Sequence, residues 1–202
     1  MKTEIDAKTV KKLRDATGAG MMTCKKALTE NDGDYEKAIE SLKLKGMAIA
    51  DKKAGRNTNE GLIYSYIHTG GKLGILVEVN CETDFVAKRE EFIDLAKNIA
   101  MQIASNPVIV VVSPDDISES AKEEVRRFES GKEDLQNKPE EIRNKIVEGR
   151  IEKSLKKQVL LDQEYIRDPN STVNEYIKQV VGVLGENIRV ARFTRFVLGE
   201  TD

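Results

Sequence analysis

Few residues in this chain have the type and spacing that chemistry needs. The one histidine, His68, has no cysteine, aspartate or serine near it in sequence that would make it a general base or a metal ligand. Cys24 and Cys81 lie far apart without histidine neighbours, so neither a metal site nor a disulfide framework is indicated, and both are expected to remain thiols. The carboxylate pairs Glu90-Glu91 and Asp115-Asp116 sit among charged residues, where solvation is the ordinary role. Gly18-Ala19-Gly20, followed by Lys25 and Lys26, has the glycines of a phosphate-binding turn. It lacks P-loop spacing and a preceding strand, so a tight helix-to-helix turn is the better reading. No metal, cofactor or bond-making site is expected, and the chain reads as an interaction protein, not an enzyme.

What stands out instead is an aromatic corner. Leu73, Ile75, Val77 and Val79 alternate with Gly74, Leu76 and Glu78, the period of a strand with one buried face. Phe92, Leu95, Ala96, Ile99 and Ile103 then repeat at helical spacing. Asn80-Cys81-Glu82-Thr83-Asp84-Phe85-Val86 is therefore a strand-to-helix corner, with Thr83 or Asp84 placed to cap the helix. Phe85 precedes Phe92 by one heptad, and periodicity alone favours packing it inward. The intervening Lys88, Arg89, Glu90 and Glu91 point the other way, towards an exposed ring of the kind that anchors a partner. Pattern leaves both readings open.

The remaining elements supply the frame. With 202 residues the chain can build a substantial core. Its 39% hydrophobic and 34% charged residues and net charge of -2 describe a globular protein with a heavily charged surface. That balance argues against strong non-specific nucleic-acid binding, and no apolar run reaches membrane-spanning length. No targeting segment is read before the first helix, so a cytoplasmic location is expected. Residues 1–50 form a three-helix unit. Asp6 caps the first helix with Ile5 and Val10 as a hydrophobic staple, Gly18 and Gly20 break it, and Asp34 caps the third, which Gly46 is expected to stop. Adjacent Met21 and Met22 cannot share one buried stripe, so one is expected to face out.

Residues 51–60 read as a polar linker, and 61–202 as a second, α+β region. There a hairpin of strands 61–68 and 73–80 turns at Gly70-Gly71. Residues 108–112 read as a short strand, 131–137 as a loop, and Lys138-Pro139 as the start of a helix running towards Leu161. Residues 168–171 read as a turn, 173–184 as a helix, and 188–198 as a strand needing a bulge near 191–193. The fold expected is a three-helix bundle followed by a small antiparallel sheet packed by long helices. Arg189, Arg192 and Arg195 on the last strand raise RNA binding, but no aromatic stacking motif accompanies them.

Two long motifs carry a family resemblance. Leu13-Arg14-Asp15-Ala16-Thr17-Gly18-Ala19-Gly20-Met21-Met22-Thr23-Cys24-Lys25-Lys26-Ala27-Leu28 and Glu78-Val79-Asn80-Cys81-Glu82-Thr83-Asp84-Phe85-Val86 resemble the two signatures of bacterial elongation factor Ts. Lys138-Pro139-Glu140-Glu141-Ile142, Ile146-Val147-Glu148-Gly149-Arg150 and Arg192-Phe193-Thr194-Arg195-Phe196-Val197-Leu198-Gly199-Glu200 resemble later blocks. The resemblance implies a guanine-nucleotide exchange factor for elongation factor Tu, GDP-bound and nucleotide-free, without a cofactor. It implies a ubiquitin-associated-like amino-terminal unit docking through Arg14, Met21 and Met22. It also implies a corner of Thr83, Asp84, Phe85 and Val86 inserting beside the nucleotide and magnesium site of Tu, with Phe85 as the wedge and hence exposed. One obvious hairpin, where long members carry two related halves, implies the short form and a homodimer. The rival readings are an adaptor built on the three-helix unit and an RNA-binding translation protein.

Overall fold

The computed structural model describes residues 5–135 and 139–200. Its elements are α1 (Ala7–Thr17), α2 (Met21–Glu30), α3 (Tyr35–Lys53), β1 (Glu60–Ile67), β2 (Leu73–Cys81), α4 (Asp84–Ala87) and α5 (Glu90–Ser105). They continue as α6 (Glu119–Ser130), α7 (Glu140–Lys156), β3 (Glu164–Tyr165), β4 (Asp168–Thr172), α8 (Val173–Leu184) and β5 (Ile188–Val197). The fold is α+β, an amino-terminal three-helix bundle with a small antiparallel sheet of order β1-β2-β5 and long helices. Two compact units divide it. One takes the chain up to Ile63, Val79–Ala96 and Glu175–Arg189; the other takes Tyr64–Glu78, Lys97–Asn174 and the chain from Val190.

In the first unit, local capping sets the bundle. Asp6 accepts the Thr9 N–H at 2.8 Å and Asp34 that of Lys37 at 3.1 Å, each satisfying a donor that the first helical turn leaves orphaned. Gly18 ends α1 in the left-handed region at φ 68°, where its N–H reaches the Arg14 carbonyl at 2.7 Å. Val10, Leu13, Cys24, Ala27, Leu28, Ala38 and Leu42 make the bundle's core, and Ile5 packs on it. Gly46 does not stop α3, which runs on to Lys53. Its role is packing: α8 crosses there, with Gly182 against Gly46. The polar stretch from Asp51 accordingly begins as the last turn of α3.

In the second unit, Ile75 and Val77 of β2, Val190 of β5 and Ile99, Ala100 and Ile103 of α5 are all buried. Beyond Val190 the half-buried positions of β5 become 191, 193, 195 and 197, a shift of burial phase where the sequence called for a bulge. Two expectations fail here. Residues 108–112 form no strand, only a single bridge from Val111 to Val159, with the Val110 and Val111 N–H groups both donating to the Gln158 carbonyl. Residues 168–171 form most of β4, paired antiparallel with β3, not a turn. Helix α7 begins after Pro139 and ends at Lys156, short of Leu161, and buries Val147 and Ile151 against Leu135. Residues 136–138, which include the expected loop end and Lys138, lie outside the described residues.

Candidate partner-binding corner

The corner after β2 is built in three steps. Strand β2 ends at Cys81, whose thiol is buried and donates to the Thr83 carbonyl at 3.2 Å. Thr83 is the N-cap of α4: its hydroxyl oxygen accepts the Val86 N–H at 3.4 Å. Helix α4 is a single turn, and the chain breaks at Lys88-Arg89 before α5 begins. That break takes Phe85 out of phase with the stripe that begins at Phe92. Phe92 is fully buried, whereas Phe85 is 79% exposed. The inward packing favoured by periodicity therefore fails, because it assumed one continuous helix. Val86 takes the inward place, at 7% exposure.

A second strand of chain fastens the corner from behind. Glu186, just after α8, accepts the N–H groups of Glu82 at 3.1 Å and Thr83 at 3.0 Å through one carboxylate oxygen. Through the other it accepts the Thr83 hydroxyl at 2.6 Å. Glu82 returns the contact by accepting the Asn187 N–H at 2.6 Å, and Arg56 donates to its other oxygen at 3.3 Å. The buried Asn187 side chain donates to the carbonyls of Ala54 at 3.2 Å and Arg56 at 2.8 Å. The Asn187 N–H, with Arg56 adding to it, holds the Glu82 carboxyl below its ordinary pKa. On the outer side, Lys88 donates to Asp84 at 2.6 Å. That hydrogen bond lowers the Asp84 pKa and raises that of Lys88.

Thr83, Asp84, Phe85 and Val86 are thus brought together in one turn, with the ring outward and Val86 inward. Arg14, Met21 and Met22 belong to the three-helix bundle. Arg14 is exposed in the last turn of α1, and both methionines of the first turn of α2 are exposed, not one of them. Glu82, Glu186 and Asn187 were missed as site residues. The one local hint is a pair of polar residues, Glu186-Asn187, wedged between an apolar helix and a β-branched strand. Two of the three arginines that raised RNA binding, Arg192 and Arg195, are engaged within the protein. Arg192 donates to Glu78 at 2.8 Å, and Arg195 donates to the Asn106 carbonyl at 2.7 Å and to that of Ile103. His68 is exposed and shares a 2.9 Å hydrogen bond with the Tyr66 hydroxyl. No group of three or more metal-ligating side chains occurs among the described residues, and no described helix is long and apolar enough to cross a membrane.

Comparison with known proteins converges on one family. The model described as "Elongation factor TS" matches residues 3–200. The chloroplastic elongation factor Ts of Phaeodactylum tricornutum is 83% identical over 202 residues, the whole of both chains. That of Rhodomonas salina is 60% identical over 200 residues, covering 99% of this chain and 91% of the relative. Elongation factor Ts of Synechococcus elongatus is 62% identical over 197 residues, covering 98% and 89%. A match of this length takes in both the bundle and the Thr83 corner, and the chain belongs to the elongation factor Ts family, proteins of translation elongation.

Proposed function

We propose that this protein is the guanine-nucleotide exchange factor of elongation factor Tu. It binds Tu in its GDP form and inserts the corner of Thr83, Asp84, Phe85 and Val86. This disturbs the magnesium and phosphate site and releases GDP so that GTP can bind. The observation that carries the reading is Phe85, a large ring exposed on a corner whose backbone is hydrogen-bonded from both sides. No bond is made or broken in such a reaction. Linkage requires only that the factor bind nucleotide-free Tu more tightly than GDP-bound Tu, by the factor with which it weakens GDP binding.

In this reading Phe85 is the wedge, Asp84 its polar neighbour and Val86 the anchor beneath them. Residues 1–50 dock on Tu through Arg14, Met21 and Met22, residues 51–60 connect, and residues 61–202 supply the corner and the dimerising core. The homodimer is supported by an apolar depression of about 380 Å³ on the sheet of the second unit, where Ile67, Leu76, Phe196 and Leu198 are exposed. Light scattering that finds a monomer at working concentration removes the dimer. The place of action is a translating compartment, the cytoplasm or, as the names of two relatives say of those proteins, the chloroplast.

The test is release of a fluorescent GDP analogue from purified Tu of the same organism. Folded wild-type protein accelerates release, and folded Phe85→Ala loses that acceleration, by ~2 kcal/mol or more for a hot spot. Release that survives Phe85→Ala moves the mechanism away from the corner. No acceleration by folded wild-type protein overturns the reading.

A further inference from the structure

A one-turn helix cannot hold its own direction, since its nucleus costs more than its few hydrogen bonds return. Phe85, exposed as it is, has no burial to orient it. The direction in which the ring leaves the chain is therefore set by backbone fastening. The N–H groups of Glu82 and Thr83 precede α4, outside the helical ladder, and both end on the Glu186 carboxylate. The Thr83 hydroxyl bridges the two halves of the fastening, donating to Glu186 while accepting from Val86. These are charge-assisted bonds between segments 104 residues apart, and Glu82 reciprocates on Asn187.

We infer that Glu186 is the positioning residue of the corner: it locks the Glu82-Thr83 turn and so fixes how Phe85 is presented, without touching the partner. This rests on the reading of residues 83–86 as the partner-binding corner. Presentation within a fraction of an ångström is what a wedge on a rigid mount needs. Glutamine in place of Glu186 keeps a carbonyl for both N–H groups and an amide donor for the Thr83 oxygen, which still has a lone pair for Val86. Alanine removes all three bonds.

The experiment uses the full chain with Glu186→Gln and Glu186→Ala, each alone and combined with Phe85→Ala. GDP-analogue release is read alongside thermal melts and amide hydrogen exchange of the free protein. Glu186→Ala should melt cooperatively, yet slow GDP release about tenfold or more well below its melting temperature. Glu186→Gln should recover most of that loss. In the Phe85→Ala background Glu186→Ala should add nothing, because it acts through the ring. Equal slowing in both backgrounds overturns the inference, as does unchanged release by folded Glu186→Ala. Should Glu186→Ala not fold, Glu186→Asp, which draws the carboxylate back by one methylene, is read in the same way.

Amide exchange separates this claim from the one beneath it. If wild type fails to release GDP the exchange reading falls, and if Phe85→Ala has no effect the corner loses its part in it. Faster amide exchange at Glu82 and Thr83 in Glu186→Ala or Glu186→Asp would still establish the lock. Unchanged protection there overturns it whatever Tu does.

Discussion

Gly182 of α8 and Gly46 of α3 meet backbone to backbone: a Cβ on Gly182 would stand 2.6 Å from the Gly46 Cα. The contact is asymmetric, since a Cβ on Gly46 finds its nearest neighbour, the Gly182 Cα, at 3.8 Å, an ordinary packing distance. Gly182→Ala must push the helices apart and is expected to destabilise by ~1–3 kcal/mol, the usual range for overpacking. Gly46→Ala should instead stabilise by ~0.5–1 kcal/mol, because alanine loses less entropy in a helix interior. Urea titrations of the two variants check the sign of each.

Phe85 and Val86 are neighbours with opposite duties. Val86→Ala opens a buried site and should cost ~2 kcal/mol of stability. Phe85→Ala alters an exposed side chain and should change stability by less than ~0.5 kcal/mol. Thermal melts of the pair check this before any activity is measured. A Phe85→Ala variant that unfolds would mean that the ring is structural.

Cys81 gives the corner an alkaline limit. Burial, with the Glu186 carboxylate adding to it, pushes the thiol above its ordinary value, up to about 11. The unfolded thiol ionises near ~8.5, so above that pH the unfolded chain binds fewer protons than the native one. The stability of the protonated thiol is fully present below ~pH 8.5 and is lost as pH rises towards about 11. Urea midpoints followed across that window should fall in the wild type. Cys81→Ala should flatten that part of the slope.

Arg195 closes the carboxyl-terminal end of α5, donating to the Asn106 carbonyl at 2.7 Å and to that of Ile103. Last-turn carbonyls have no helical partner, and a cation also complements the negative end of the helix dipole. Arg195→Ala should cost ~1–3 kcal/mol in denaturant titrations. Arg195→Lys should recover only part of it, because an ammonium lacks the planar spread of a guanidinium.

Much of the frame was legible in the sequence, for local reasons. The alternation of Ile75, Val77 and Val79, the stripe from Phe92 to Ile103, and the caps at Asp6, Asp34 and Thr83 each depend on neighbours within a turn or two. What was illegible depends on distant chain. Nothing in Lys88-Arg89 announces a helix break, since both residues favour helix and neither is glycine or proline. Gly46 looked like a stop because a glycine's local meaning is termination, while its meaning here is the approach of Gly182. Residues 168–171 read as a turn, yet Pro169 sits in a two-stranded ribbon, where a missing donor is tolerated at an edge. At the corner, motif resemblance picked out Thr83, Asp84 and Phe85. It could not reveal Glu186, because the contact exists only once the segment after α8 lies behind β2.

The break after Ala87 and the fastening behind Thr83 together divide labour within one short peptide. Cys81, Glu82, Thr83 and Val86 hold the mount, by thiol, carboxylate, hydroxyl and methyl contacts directed into the protein. Asp84 and Phe85 project from it, with Asp84 ion-paired to Lys88 on the same turn. Under the proposed exchange role, scaffold and recognition are encoded by separate letters of the same word. The recognition letters can be rewritten, by drift alongside a changing partner or by a protein engineer retargeting the corner, without solving the fold again.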